Sequence, residues 1–302
     1  LVALFVLFYT ALLFSLFFTV VAILWGWTAA HETRAVLAVL LASHAMAVVL
    51  AVVCYVGGPG MVLSASRAEP IHPAKDQVLH DVVEEMAVAA GCPVPPVYVI
   101  DSPAMNAMAA GLMPERSVII VTRGLCERLD RDQLQAVIAH ELARIQTYDV
   151  RLMTVMATMV GMMILVSALM KQMVSAALET GPSSAWYLVW FLFILPPVGL
   201  AVVLAPPCAR VIQLAVSRER QSMADTEAVR LTRYPEALAR ALEILATDTE
   251  YLADANGATA HLFIVRPVLA EGRRAGGDGV WSAHPEIEER IARLRSIGNI
   301  SE

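Results

Sequence analysis

Charge is what this chain has least of. Only 17% of its 302 residues are Asp, Glu, Lys or Arg, 58% are apolar, and the mean hydropathy is +0.62. Soluble domains average about 25% charged residues, so the composition points away from an ordinary soluble domain and toward a membrane protein. A basic excess is missing as well. The net charge is -6, with acidic residues spread along the polar segments, so there is no basic stripe to follow a phosphate backbone and nucleic acid is excluded as a partner. Cysteine is scarce: Cys54, Cys92, Cys126 and Cys208 lie far apart and none forms a CxxC pair. That rules against a zinc ribbon or a redox couple and leaves free thiols in a reducing compartment. Internal repeats and low-complexity runs are absent.

What the chain does have is long apolar runs. Val2 to Trp25 carries no charge, matches the roughly 20 residues needed to cross a bilayer core, and is too long and lacks the basic leader of a cleaved signal peptide. Ala35 to Val56, Leu152 to Met170 and Trp186 to Leu204 read as three further spans, the last kinked by Pro196-Pro197 and flanked by Trp186, Tyr187 and Trp190 as an interfacial belt. Ionisable residues are nearly absent from these runs, which argues against a transporter or channel. His44 is read as a packed or hydrogen-bonded histidine.

Four spans divide the chain into residues 1–57, 58–150, 151–208 and 209–302, the second and fourth being polar and facing one compartment. Arg67, Lys75, Arg144, Arg151, Arg210, Arg218 and Arg220 lie on their side, against Arg34 and Lys171 in the opposite short loops. The positive-inside rule therefore makes the expected polar domain cytoplasmic, in a multi-pass protein of the cell membrane.

Within the polar segments, Leu79, Val82, Val83 and Met86 recur at helical spacing, with acidic residues opposite, and predict an amphipathic helix over 76–90. His80 and Glu84 belong to its solvated face. Val97 to Ile100 and Val118 to Val121 read as strands. Between them Met105 to Gly111 is small and weakly polar, suited to an edge strand whose unpaired backbone would take up an extended peptide; a plain connecting hairpin fits the same residues. Asn106, Ala107, Met108 and Gly111 are the candidate substrate-binding residues.

From Asp132 a helix is expected through Ala136 to Asp149, with Leu134, Val137, Ile138, Leu142 and Ile145 as its apolar stripe. It contains His140-Glu141 followed, one turn after the histidine, by Arg144. A zinc peptidase helix needs two imidazoles at this spacing and a glutamate between them as general base. Here the second imidazole is missing, and the stretch taken alone also fits an ordinary amphipathic helix.

The order of motifs along the chain resembles the HtpX-like membrane zinc metallopeptidases, relatives of the prenyl-protein CAAX endopeptidase. It is carried by VYVIDSPAMNAMAAG (Val97 to Gly111), RDQLQAVIAHELARI (Arg131 to Ile145), SRERQSMAD (Ser217 to Asp225), LTRYPEAL (Leu231 to Leu238), HLFIVRP (His261 to Pro267) and SAHPEIEERIARL (Ser282 to Leu294). The resemblance implies a mainly α membrane protein, with four transmembrane helices and a gluzincin-like α+β peptidase domain holding a small sheet. It assigns a zinc-ligand position to His140, the general-base position to Glu141, and supporting roles to Asp149 and Asp225. His284 falls where the family has a histidine close to the active site. The second and third ligand positions fall on Arg144 and Gln221.

Arginine cannot be deprotonated to ligate a metal, so no metal or other cofactor is expected although the family uses zinc. The substitutions keep the charge sum: the family sets zinc against two glutamates, this chain sets Arg144 against Glu141 with Gln221 neutral. Arg144 is expected to fill the metal position and bond Glu141, Gln221 or Asp225. The expected function is that of a pseudoprotease that binds or regulates membrane-protein substrates or partners without zinc-dependent hydrolysis. The alternative is an active peptidase that recruits Asp225 or His284 as a ligand.

Overall fold

A computed structural model of the chain describes residues 10, 14, 33–179, 218–253, 255, 259–268 and 287–300. The fourth predicted span, nearly all of the first, the aromatic belt, Cys208 and His284-Pro285 lie outside the described residues. The described part is mostly helical with one small mixed sheet. It divides into two compact units, Leu1–Val56 with Met159–Ile212, and Gly57–Thr158 with Gln213–Glu302.

In the first unit lie the later part of a helix over Asp149–Glu179 and most of α1 (Thr33–Ala65). Its most apolar window has a mean hydropathy of 2.6, and at about 1.5 Å per residue the helix outreaches a hydrocarbon core of roughly 30 Å. It is long and apolar enough to cross a membrane. Leu37, Leu41, Val49 and Val52 are exposed along it. His44 Nδ1 lies 3.1 Å from Thr10 Oγ1, as a hydrogen-bonded histidine would.

The second unit is built on four strands, β1 (Glu69–Pro70), β2 (Val97–Ile100), β3 (Ala107–Gly111) and β4 (Ser117–Thr122), in the order β1-β2-β4-β3. β3 and β4 form an antiparallel hairpin, β2 runs parallel to β4, and β1 is antiparallel to β2. β2 and β4 are the β-branched runs of the sequence. β3 takes the edge, as expected, yet all five of its residues are buried.

Around the sheet stand α2 (Gln77–Ala90), α3 (Arg123–Arg128), α4 (Arg131–Gln146), the start of α5 (Asp149–Glu179), α6 (Arg218–Thr232), α7 (Pro235–Ala246) and α8 (Ile287–Ile300). The stripe Leu79, Val82, Val83 and Met86 of α2 joins Leu134, Val137, Ile138 and Leu142 of α4 in one buried core. Burying each such aliphatic side chain contributes about 1.5–3 kcal/mol. α2 stops at Gly91, whose left-handed backbone (φ 65°) lets its N–H and that of Cys92 return to the Val88 and Ala87 carbonyls. α4 starts one residue before the expected Asp132. Asp130 caps it by accepting from the Gln133 N–H at 2.9 Å, while its own N–H donates to Gln133 Oε1 at 3.1 Å.

Candidate functional site

α4 fixes the site because its inward face carries polar residues among buried apolar and small ones. Ala136, Ala139 and Ala143 are fully buried on it, as are Ala224 and Ala228 on α6, and the two helices pack together. Between the alanines α4 turns His140, Glu141 and Arg144 inward, with 1%, 0% and 2% of their surface exposed. Gln221 and Asp225 lie one turn apart on α6, both buried, and Asp149 is buried at the first residue of α5.

Arg144 Nη1 donates to Glu141 Oε2 at 2.9 Å and to the Leu262 carbonyl at 2.7 Å. Its Nε lies 3.7 Å from Asp149 Oδ2, an ion pair too long for a hydrogen bond. Arg220 Nη1, nearer solvent, donates to Asp149 Oδ1 at 3.2 Å. Of the partners expected for Arg144, Glu141 is in place. Asp225 is engaged elsewhere: Arg290 of α8 donates to both of its oxygens at 2.8 Å and to the Ile264 carbonyl at 2.8 Å. Asp225 Oδ1 also lies 2.9 Å from His140 Nδ1. Burial alone would push the Asp225 carboxyl up, but the Arg290 guanidinium, helped by the His140 imidazole, holds it well below the ordinary carboxylate range.

Charge balance explains why this cluster tolerates burial. The carboxylates of Glu141, Asp149 and Asp225 meet the guanidiniums of Arg144, Arg220 and Arg290, and each close contact joins opposite signs. Removing one partner of such a pair is costly because it strands the other charge away from water. Among the described residues, no three of His, Cys, Asp and Glu are grouped so as to hold a metal ion.

Arg290, His261 and the Leu262 carbonyl were given no role in the sequence reading. Arg290 shares the apolar face of α8 with Ile287, Ile291 and Leu294 and is 4% exposed. A charge on the apolar face was the signal for a buried partner. His261 is buried with Nε2 3.0 Å from the Met153 carbonyl. Burial, with the nearby charge of Arg144 acting in the same sense, pushes its pKa down to about 4 against the opposing effects of that carbonyl and Asp149. It is therefore neutral near pH 7, with its Nε2–H donating to the Met153 carbonyl.

The candidate peptide-binding residues are engaged within the chain. Phe263 sits opposite Met108 in an antiparallel bridge, and the Ile264 N–H donates to the Ala107 carbonyl at 2.9 Å. Asn106 Nδ2 donates to the Val265 carbonyl at 2.8 Å, and the Gly111 N–H to Thr154 Oγ1 at 3.0 Å. The unpaired edge read from the sequence is covered at these positions, because residues 262–265, remote in sequence, lie on it.

The sequence profile described as "Peptidase family M48" matches residues 73–298. The chain belongs to peptidase family M48. The match encloses His140, Glu141, Arg144, Gln221, Asp225 and Arg290. Similar M48 relatives carry the name "Protease HtpX homolog". One from Dictyoglomus thermophilum is 41% identical over 229 residues, 75% of this chain and 72% of that protein. One from Syntrophobacter fumaroxidans is 38% identical over 269 residues, 84% of this chain and 90% of that protein. One from Listeria monocytogenes serotype 4a is 33% identical over 253 residues, covering 78% and 79%. Among solved structures, the crystal structure of S. mikatae Ste24p aligns with a TM-score of 0.44 at 20% identity, covering 82% of this chain and 56% of that chain. This chain is thus an HtpX-like M48 metallopeptidase homologue.

Proposed function

We propose that this M48 member is a zinc-free pseudoprotease of the cell membrane, one that binds or regulates a membrane-protein substrate or partner without metal-dependent hydrolysis. The observation that carries the reading is Arg144. A catalytic zinc takes about three protein ligands and keeps one open position. Here one candidate ligand position holds a buried guanidinium that already bonds Glu141 and a backbone carbonyl. A second holds Gln221, which is neutral. These residues do not fit the metal: the fixed positive charge repels it, and His140 remains as the one imidazole of the expected set. With Glu141 bonded to Arg144, the general-base position is turned into a structural ion pair. Asp225 is already paired with Arg290, which donates to both of its oxygens.

In this reading residues 1–57 and 151–208 supply four membrane spans, and residues 58–150 with 209–302 make one peptidase-like domain on the cytoplasmic side. The long apolar α1 and the arginine and lysine distribution support it. His284 stands near the same site by its resemblance to the family. The partners are the lipid bilayer and a membrane protein.

Metal analysis of the purified chain beside an Arg144→His, Gln221→Glu double variant tests the reading. The native protein is expected to hold no stoichiometric zinc and the double variant to gain it. Stoichiometric zinc in the native protein, with casein cleavage that Glu141→Gln abolishes, overturns it.

A further inference from the structure

Leu262, Phe263, Ile264 and Val265 are buried, and groups of the candidate site hold their backbone from several directions. Phe263 lies antiparallel to Met108 on the outer side of β3. The Ile264 N–H bonds the Ala107 carbonyl, and Asn106 reaches the Val265 carbonyl. Arg290 takes the Ile264 carbonyl at 2.8 Å, and Arg144 takes the Leu262 carbonyl at 2.7 Å. Phe263 makes a single bridge between a turn at Leu262 and a bend at Ile264 and Val265, and one backbone hydrogen bond ties this segment to β3; an extended peptide adding itself to a sheet edge uses the same backbone groups of that edge. The Leu262 carbonyl is also the one that meets the cation paired with Glu141.

From this we infer that Leu262–Val265 is an internal pseudosubstrate, a stretch of the chain's own backbone occupying the peptide edge of β3 and latched there by Arg144. The inference rests on the zinc-free reading, since it assigns Arg144 to hold a carbonyl where a peptidase would hold a metal. It also names the class of partner. A segment that replaces 262–265 must lay its backbone on β3, with an unpaired N–H at the position of Ile264 and apolar side chains like those of Leu262 and Ile264. The site is closed to such a segment until the internal one withdraws. A folded domain or a charged peptide does not meet these terms.

The test uses the full chain in detergent micelles with chelator present, amide hydrogen exchange as one readout, and binding of a fluorescent synthetic peptide copying Ala260 to Pro267 as the other. In the native protein the Ile264 amide is expected to exchange slowly and the peptide to bind poorly. Asn106→Ala and Arg144→Met each remove a hold on the strand, and each should speed Ile264 exchange by about tenfold or more and allow saturable peptide binding. If Arg144→Met does not fold, Asn106→Ala carries the test, because it strands no buried charge.

A Met108→Cys, Phe263→Cys pair closed as a disulfide across the bridge should abolish the binding gained by Asn106→Ala. Three results overturn the inference: fast Ile264 exchange in the native protein, peptide binding unchanged by folded Asn106→Ala protein, or equal binding by the cross-linked form. The zinc-free reading fails on metal content, which none of these readouts measures, so the two failures are distinguishable.

Discussion

His140 and Arg144 stand one turn apart on the buried face of α4, and their surroundings differ in kind. His140 faces a carboxylate that Arg290 holds by two hydrogen bonds, an arrangement suited to orienting a ligating imidazole. Arg144 faces what a cation needs: a carboxylate three residues before it on the same helix, a carbonyl, and a second carboxylate at longer range. One half of the site has surroundings that would suit a metal ligand, while the other is built around a fixed charge. The difference teaches that a buried polar site can hold a guanidinium where opposite charges surround it, even with Arg144 Nε and Glu141 Oε1 left without a hydrogen-bond partner.

The comparison breaks first if the two halves are not both structural. Arg290→Met strands Asp225, and Arg144→Met strands Glu141, so each should cost about 3–5 kcal/mol, read as loss of thermal or denaturant stability in micelles. Adding Glu141→Gln to Arg144→Met should recover part of that cost and leave the Arg290→Met cost unchanged. A double variant no more stable than the single removes the idea that Arg144 and Glu141 form a unit.

A smaller effect separates the halves by pH. The folded-state pKa of His261 is depressed to about 4, so its stabilising contribution is complete above the unfolded value near 6.5 and is lost as pH falls toward 4. The loss should reach about 2 kcal/mol by pH 5. Replacing His261 by Gln should flatten that slope between pH 7 and 5, an interval in which Asp225, held low by Arg290, stays ionised. A slope unchanged in His261→Gln would place the titration elsewhere. Smallest of all, Asp130→Ala removes the cap of α4 at a cost of about 1 kcal/mol. It serves as a baseline, because it loosens the helix carrying both residues while leaving their partners in place.

Much of this was legible in the sequence because its causes are local. The α2 and α4 stripes, the β-branched strands and the Gly91 break follow from spacing and backbone preference. The Arg144–Glu141 pair follows from helical proximity and charge. The rest depends on partners far away in the chain. Arg290 reaches Asp225 across 65 residues, and Leu262 reaches Arg144 across 118. Nothing local to β3 could announce that Phe263 and Ile264 would cover it, so its edge was read as open. The parallel pairing of β2 with β4 was hidden for a related reason: two apolar runs give strands but not their direction.

That cover over β3 also has a consequence in time. Asn106 and Val265 are 159 residues apart, and at roughly 5–20 residues per second a ribosome makes them about 8–30 s apart. The β3–β4 hairpin closes locally and early, so in the nascent chain its outer edge stays bare until the covering segment emerges. During that interval the strand most exposed to mispairing is the one that is fully buried in the finished protein.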